Sequence, residues 1–167
     1  ALSQRLRSGD RAYKRLALFS GRRGGKTRIG ALGVSVEASG NPHSRWWVCA
    51  PTYPKLYDYV IPAMHEVLRT SWLKEPFSKS HYEWKLTNGA VIQARSLDDV
   101  QRGRGPGLDG AWIDEARDTV KSAFDTLMPA LVDRQGAAII TTSPNGFDWC
   151  YKTFWLPAQE NQPGFWA

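Results

Sequence analysis

Ser20-Gly21-Arg22-Arg23-Gly24-Gly25-Lys26-Thr27 is the most informative stretch of the 167-residue chain. It matches the phosphate-binding loop G-x-x-x-x-G-K-[ST] at every position but the first, where Ser20 stands in place of Gly. Glycines let successive backbone N–H groups curl around phosphate oxygens, and a helix that follows points its positive N-terminus at them. Lys26 then reaches the terminal phosphates of a nucleotide, ATP in the usual case, and the Thr27 hydroxyl ligates Mg²⁺. A Gly-rich turn alone would not carry this reading. Its flanks do: the apolar run Leu16-Ala17-Leu18-Phe19 precedes the loop, and a helical pattern over 27–38 follows it and stops near Ser39-Gly40.

A second acidic stretch lies downstream. Ala111-Trp112-Ile113-Asp114-Glu115 is a short apolar strand ending in two carboxylates. Asp114 is placed to hold Mg²⁺, and Glu115 to polarise the attacking water of a phosphoryl transfer. Two carboxylates on an ordinary surface turn would be solvated; the strand before them and the loop upstream favour the metal site. Thr141-Thr142-Ser143-Pro144-Asn145-Gly146 closes the next strand, either as a plain strand-to-turn junction or as a place where a hydroxyl or amide senses the γ-phosphate and relays its loss. Arginine is the remaining component, because developing negative charge is often met by one. Arg22 and Arg23 lie in the loop, and Arg102 and Arg104 in a Gly-rich segment over 96–109.

The rest of the chain fits around these motifs. Arg45-Trp46-Trp47-Val48-Cys49-Ala50 and Ala137-Ala138-Ile139-Ile140-Thr141-Thr142 read as strands. Leu56, Val60, Ile61, Met64 and Leu68 have helical spacing that Pro62 should kink or split. Segments 82–87 and 90–95 flank Asn88-Gly89, the dipeptide suited to the two positive φ angles of a tight hairpin turn. Residues 120–131 are helical. Short apolar strands alternating with helices predict a three-layer α/β fold with a mainly parallel central sheet and an added β-hairpin. Trp46, Trp47 and Trp112 fall on strands and should be core, whereas Trp149, Trp155 and Trp166 either meet a continuation of the chain or cover one edge of the sheet.

Composition bounds the class. Apolar residues make up 42% and charged residues 23%, which excludes a disordered or collagen-like chain, and the length suits one domain over 1–167. Twenty-two Lys and Arg against sixteen Asp and Glu leave +6, which suits a polyanionic partner. Cys49 and Cys150 with His43, His65 and His81 show neither disulfide nor metal-ligand spacing, so a reduced, intracellular protein is expected. No apolar run approaches the roughly 20 residues of a membrane span, and the opening lacks the apolar stretch of a secretory signal. A start at Ala1 without Met and an apolar stop at Phe165-Trp166-Ala167 suggest a fragment.

The order of these parts resembles the ATPase domain of bacteriophage large terminases, carried by SGRRGGKT (20–27), APTYP (50–54), RGRG (102–105), GAWIDEA (110–116) and TTSPNG (141–146). The resemblance implies a P-loop NTPase fold of the RecA-like (ASCE) type and an ATPase motor that translocates double-stranded DNA into a procapsid in the host cytoplasm. It works as a ring, usually of five subunits, on a portal, with a small terminase subunit choosing the DNA. It implies Ser20 to Thr27 as the nucleotide-binding loop and Lys26 and Thr27 as phosphate and Mg²⁺ contacts. Asp114 becomes the metal-site Asp, Glu115 the catalytic carboxylate, and Thr141, Thr142 and Ser143 the coupling motif. Arg22 is implied as a sensor or a finger within the subunit, or Arg104 as a finger inserted into a neighbour, and Gln4 is the candidate adenine contact. The RNase H-like nuclease domain of the family is expected to lie outside these residues. A helicase-like P-loop ATPase and a nucleotide switch that does not hydrolyse ATP are the alternatives.

Overall fold

The computed structural model describes residues 15–100 and 106–160. Six strands form one sheet in the order β1 (Arg15–Phe19), β6 (Ala137–Thr142), β5 (Gly110–Asp114), β2 (Arg45–Ala50), β4 (Val91–Ser96), β3 (Glu83–Lys85). All neighbours are parallel except β3 and β4. Parallel strands joined by helices are covered on both faces. Every residue of β5 is accordingly buried, as are all of β2 but Arg45 and all of β6 but Ala137.

Side chains alternate across each strand and so sort into two cores. Trp46, Val48, Trp112 and Ile139 face α1 (Lys26–Gly40) and α2 (residues 53–67), where Val34, Leu56 and Met64 meet them. Trp47, Cys49, Ala111, Ile113 and Ile140 face α4 (Lys121–Asp133) through Phe124, Leu127 and Leu131. The sheet is thus the middle of three layers, as the strand pattern predicts, and Trp46, Trp47 and Trp112 are all in the core. Of the two roles expected for the later tryptophans, the structure supports cover: Trp155 packs edge-on against Phe19 of the edge strand β1. Trp166 lies outside the described residues.

Three details depart from the sequence expectation. The hairpin between β3 and β4 is present, but only Gly89 has a positive φ (85°). Gly89 N–H donates to the Leu86 carbonyl and Leu86 N–H to that of Ala90, so the connection is a three-residue turn with Gly in the left-handed position. The helix containing Pro62 does not break. It runs as Tyr53–Lys55, a π turn at Leu56–Val60 and Ile61–Val67, with Ile61 N–H donating five residues back to the Leu56 carbonyl. Proline lacks an N–H and its ring crowds the carbonyl four residues earlier, so widening the preceding turn relieves both problems. The same device precedes Pro157, where Leu156 N–H donates to the Tyr151 carbonyl in a helical stretch the sequence reading missed. Finally, the segment expected to be a loop from Ser96 onward begins with a helical turn, α3 (Leu97–Val100).

Two glycines set the spacing of the α1 face. A Cβ on Gly110 would lie 2.2 Å from the Trp46 ring, and one on Gly30 of α1 would lie 2.3 Å from the Trp112 ring. Helix and sheet therefore meet across an indole with no side chain between. Gly30→Ala is expected to lower stability by about 1–3 kcal/mol through overpacking, outweighing the roughly 1 kcal/mol that Ala gains in helix propensity. A denaturant midpoint that stays level or rises would show that Trp112 can swing aside.

Candidate functional site

The Ser20–Thr27 loop leaves β1 at the C-terminal edge of the sheet and is pinned at its entry, where Ser20 N–H donates to the Thr142 carbonyl at 3.1 Å. Arg23 (φ 64°) and Gly25 (φ 74°) take left-handed backbone, which turns the chain sharply before α1 begins. A Cβ on Gly24 would sit 2.1 Å from Ser20 Oγ, so the serine that replaces the motif's first glycine occupies the space Gly24 leaves open. Arg22 and Arg23 are exposed, and Arg22 makes no ion pair among the described residues. The loop faces α2 across a cleft of about 400 Å³ that Gly25, Lys26, Thr27, Asp58, Tyr59 and Glu66 help to line.

β6 lies between β1 and β5, which sets Thr141 beside both Leu18 and Asp114 in register. Asp114 is 3% exposed, and its carboxylate is held from two sides. Thr27 Oγ1 donates to Oδ2 at 2.9 Å, and Thr141 Oγ1 donates to Oδ1 at 2.6 Å. An ionised carboxylate can only accept, so Thr141 donates the second bond, while its oxygen accepts from Trp112 Nε1–H at 2.8 Å. Burial pushes the Asp114 carboxyl above the ordinary aspartate value and the neighbouring Glu115 charge adds to this, while the bonds from Thr141 and Thr27 pull it back.

Glu115 follows in left-handed backbone (φ 48°, ψ 47°), a conformation costly for a residue with a side chain and frequent where function over-determines the geometry. Its Oε1 lies 2.9 Å from Nζ of Lys26, which is buried. Beyond it, Arg117 N–H donates to Thr142 Oγ1 at 3.1 Å, and Arg117 Nε lies 3.8 Å from Glu115 Oε2 and 3.3 Å from Asp118 Oδ1. Asp118 in turn pairs with Lys55 of α2. Thr142 therefore holds the loop entry through its carbonyl and the segment after Glu115 through its hydroxyl. Ser143 Oγ is buried and has no hydrogen-bond partner among the described residues.

Lys26, Thr27, Asp114, Glu115, Thr141 and Thr142 are thus brought together from three separate stretches of chain. Gln4, Arg102 and Arg104 lie outside the described residues. Sequence reasoning missed Arg117, whose only signal was its place two residues after Glu115, and gave Trp112 a core role without its hydrogen bond. The donors that meet at Thr27 and Asp114 are oxygens, the set that Mg²⁺ prefers. The Gly24–Gly25 turn with Lys26 beside it is the kind of cradle that phosphate oxygens need.

A family model described as terminase large subunit, T4-like-virus type, N-terminal, matches residues 18–164. The large terminase subunit of Thermus phage G20c is 26% identical over 160 residues, covering 84% of this chain and 33% of that protein. The chain spans about a third of the length of the curated relatives it matches. Among solved structures, the large terminase ATPase domain of Thermus phage P74-26 superposes with a TM-score of 0.72 at 22% identity, covering 92% of this chain and 68% of that one. The large terminase of a thermophilic bacteriophage, in complex with ATP-γ-S, gives 0.77 at 13% identity, covering 95% and 41%. At these identities the likeness to the solved structures is one of fold.

The raised Asp114 carboxyl has a measurable consequence. The native state binds more protons than the unfolded chain between the unfolded value and the raised one, so stability falls as pH rises through the raised value. Asp114→Asn removes that cost and keeps an oxygen for Thr141. It is expected to stabilise the fold by about 1 kcal/mol at neutral pH, with the gain disappearing in acid where Asp114 is itself protonated. A difference independent of pH, read from melts of both proteins, would show that the carboxylate is not the source.

Proposed function

Because the chain belongs to the terminase large-subunit family of the T4-like-virus type, we propose that it is the ATP-hydrolysing motor part of that subunit and drives double-stranded DNA into a procapsid. Residues 1–167 act in it as one ATPase domain. The proposal rests on one meeting of side chains, Thr27 on Asp114 and Lys26 on Glu115, at the C-terminal edge of a sheet whose β6 separates the loop strand from the acidic strand.

In the proposed reaction the loop N–H groups and Lys26 bind the β- and γ-phosphates of ATP. Thr27 and Asp114 would hold Mg²⁺, which would supply neutralisation of phosphate charge. Thr141 keeps Asp114 ionised and oriented by donating to it. Lys26 must exchange Glu115 for phosphate oxygens, and that exchange frees the Glu115 carboxylate to orient and deprotonate the attacking water. Arg22 from the same subunit or Arg104 from a neighbour meets the developing charge, and Gln4 contacts adenine. Thr141, Thr142 and Ser143 form the coupling motif: Thr142 touches both the loop entry and the segment after Glu115, so a change at either is felt at β6.

The wider assignment follows the family: a ring of five on the portal, a small terminase subunit that selects the DNA, and the host cytoplasm as the place of action. Among the described residues no helix is long and apolar enough to cross a membrane. The +6 charge suits phosphate contacts made without base reading, which weaken steeply with salt. Mg²⁺-dependent ATP turnover, measured over a wide range of protein concentration, tests the proposal. Lys26→Ala should abolish it and Glu115→Gln should lower kcat by about 10²–10⁴-fold. Specific activity that climbs with concentration and is lost in Arg104→Ala assigns the finger to a neighbour, whereas activity flat with concentration and lost in Arg22→Ala keeps it within the subunit. Undiminished turnover by Glu115→Gln would end the assignment.

A further inference from the structure

Two buried polar atoms beside the proposed reaction centre have no hydrogen bond among the described residues: Glu115 Oε2 and Arg117 Nε. They carry opposite charge and stand 3.8 Å apart, slightly too far to bond. Leaving such groups unsatisfied is costly, so the gap needs a reason. The surroundings supply one. Glu115 is already committed through Oε1 to Lys26, and its left-handed backbone aims it at that lysine. Arg117 is hydrogen-bonded at its backbone, by its N–H to Thr142 and by the tight turn in which Asp118 N–H donates to the Glu115 carbonyl at 3.0 Å. Its guanidinium can turn about a fixed Cα.

We propose that Arg117 is a positioning residue for Glu115: when Lys26 leaves for the phosphates of ATP, Arg117 Nε closes the remaining gap to Glu115 Oε2 and holds the carboxylate towards the attacking water. The inference rests on the assignment of Glu115 as the catalytic carboxylate. An arginine suits the task because its planar, permanently charged fork holds a carboxylate in one orientation. The exchange strands no other group. Arg117 now sits 3.3 Å from Asp118, but Asp118 also pairs with Lys55 and keeps that partner when Arg117 turns. Along the chain of contacts the charges alternate, Lys26, Glu115, Arg117, Asp118, Lys55, so each cation that moves leaves its carboxylate another cation.

The test compares Arg117→Gln and Arg117→Lys with the unaltered chain for kcat, KM, affinity for a fluorescent ATP analogue and melting midpoint. Loss of a charge-assisted contact made only during turnover is expected to lower kcat about tenfold to a hundredfold in Arg117→Gln. Nucleotide affinity should stay within about twofold, and Arg117→Lys should recover part of kcat. In a Glu115→Gln background, Arg117→Gln should cost nothing further, since it acts through that carboxylate. The proposal is overturned by an unchanged kcat in Arg117→Gln. It is equally overturned if kcat, affinity and melting midpoint fall together in both variants, or if Arg117→Gln costs as much without the Glu115 carboxylate as with it. Full activity of Glu115→Gln itself would instead remove the assignment beneath it.

Discussion

A carboxylate taken out of water must be given donors or a counter-charge, or it gives up its ionisation. Asp114 is that carboxylate here, and much of the molecule is arranged to supply it. β6 has to lie between β1 and β5, because only then does Thr141 stand in register with Asp114. α1 has to begin at Lys26, because only then does Thr27 reach the other carboxylate oxygen. Trp112 turns its N–H to Thr141, whose hydroxyl makes its shortest bond to the acid at 2.6 Å and reaches the Ile113 carbonyl only at 3.4 Å. Strand order, helix start and an indole in the core thus all answer to one buried charge.

Its neighbour Glu115 is satisfied differently, by a cation on loan. Lys26 is the single charged group that the phosphate-binding loop projects inward, and it rests on Glu115. In the proposed reaction a triphosphate would compete for the same ammonium with several negative oxygens, so arrival of substrate and release of the carboxylate would be one event. The strain in the Glu115 backbone is a fixed cost of this arrangement, and the 27% exposure of its side chain leaves an approach for water.

The parts of this site legible in the sequence were those whose chemistry demands a contiguous pattern. The loop from Ser20 to Thr27 needs glycines, a lysine and a hydroxyl in fixed order, and the strand ending in Asp114-Glu115 needs apolar residues right up to its acids. What escaped notice depends on pairs far apart in sequence or on backbone choices several residues can make. Trp112 looked like any core aromatic because its partner Thr141 belongs to another strand. Arg117 went unnoticed because its partners are set by a left-handed turn that no residue type announces. Asn88-Gly89 marked the hairpin correctly but not its turn, since one positive φ with an extra residue closes the same strands as two. Pro62 announced a disturbance in its helix, and the helix absorbed it in a widened turn rather than a break.

The indole between Gly30 and Thr141 has a mechanical implication. With no side chain on Gly30, which lies against the Nε1 edge of the ring, and a hydrogen bond from that same edge to Thr141, Trp112 locks α1 to the middle of the sheet like a dowel between two boards. The phosphate-binding helix cannot slide along the strands without shearing that bond or crushing the ring against its own backbone. Sheet and α1 are therefore held together as one block. The widened turn of α2 follows Lys55, which pairs with Asp118, and it lies across the cleft from the loop.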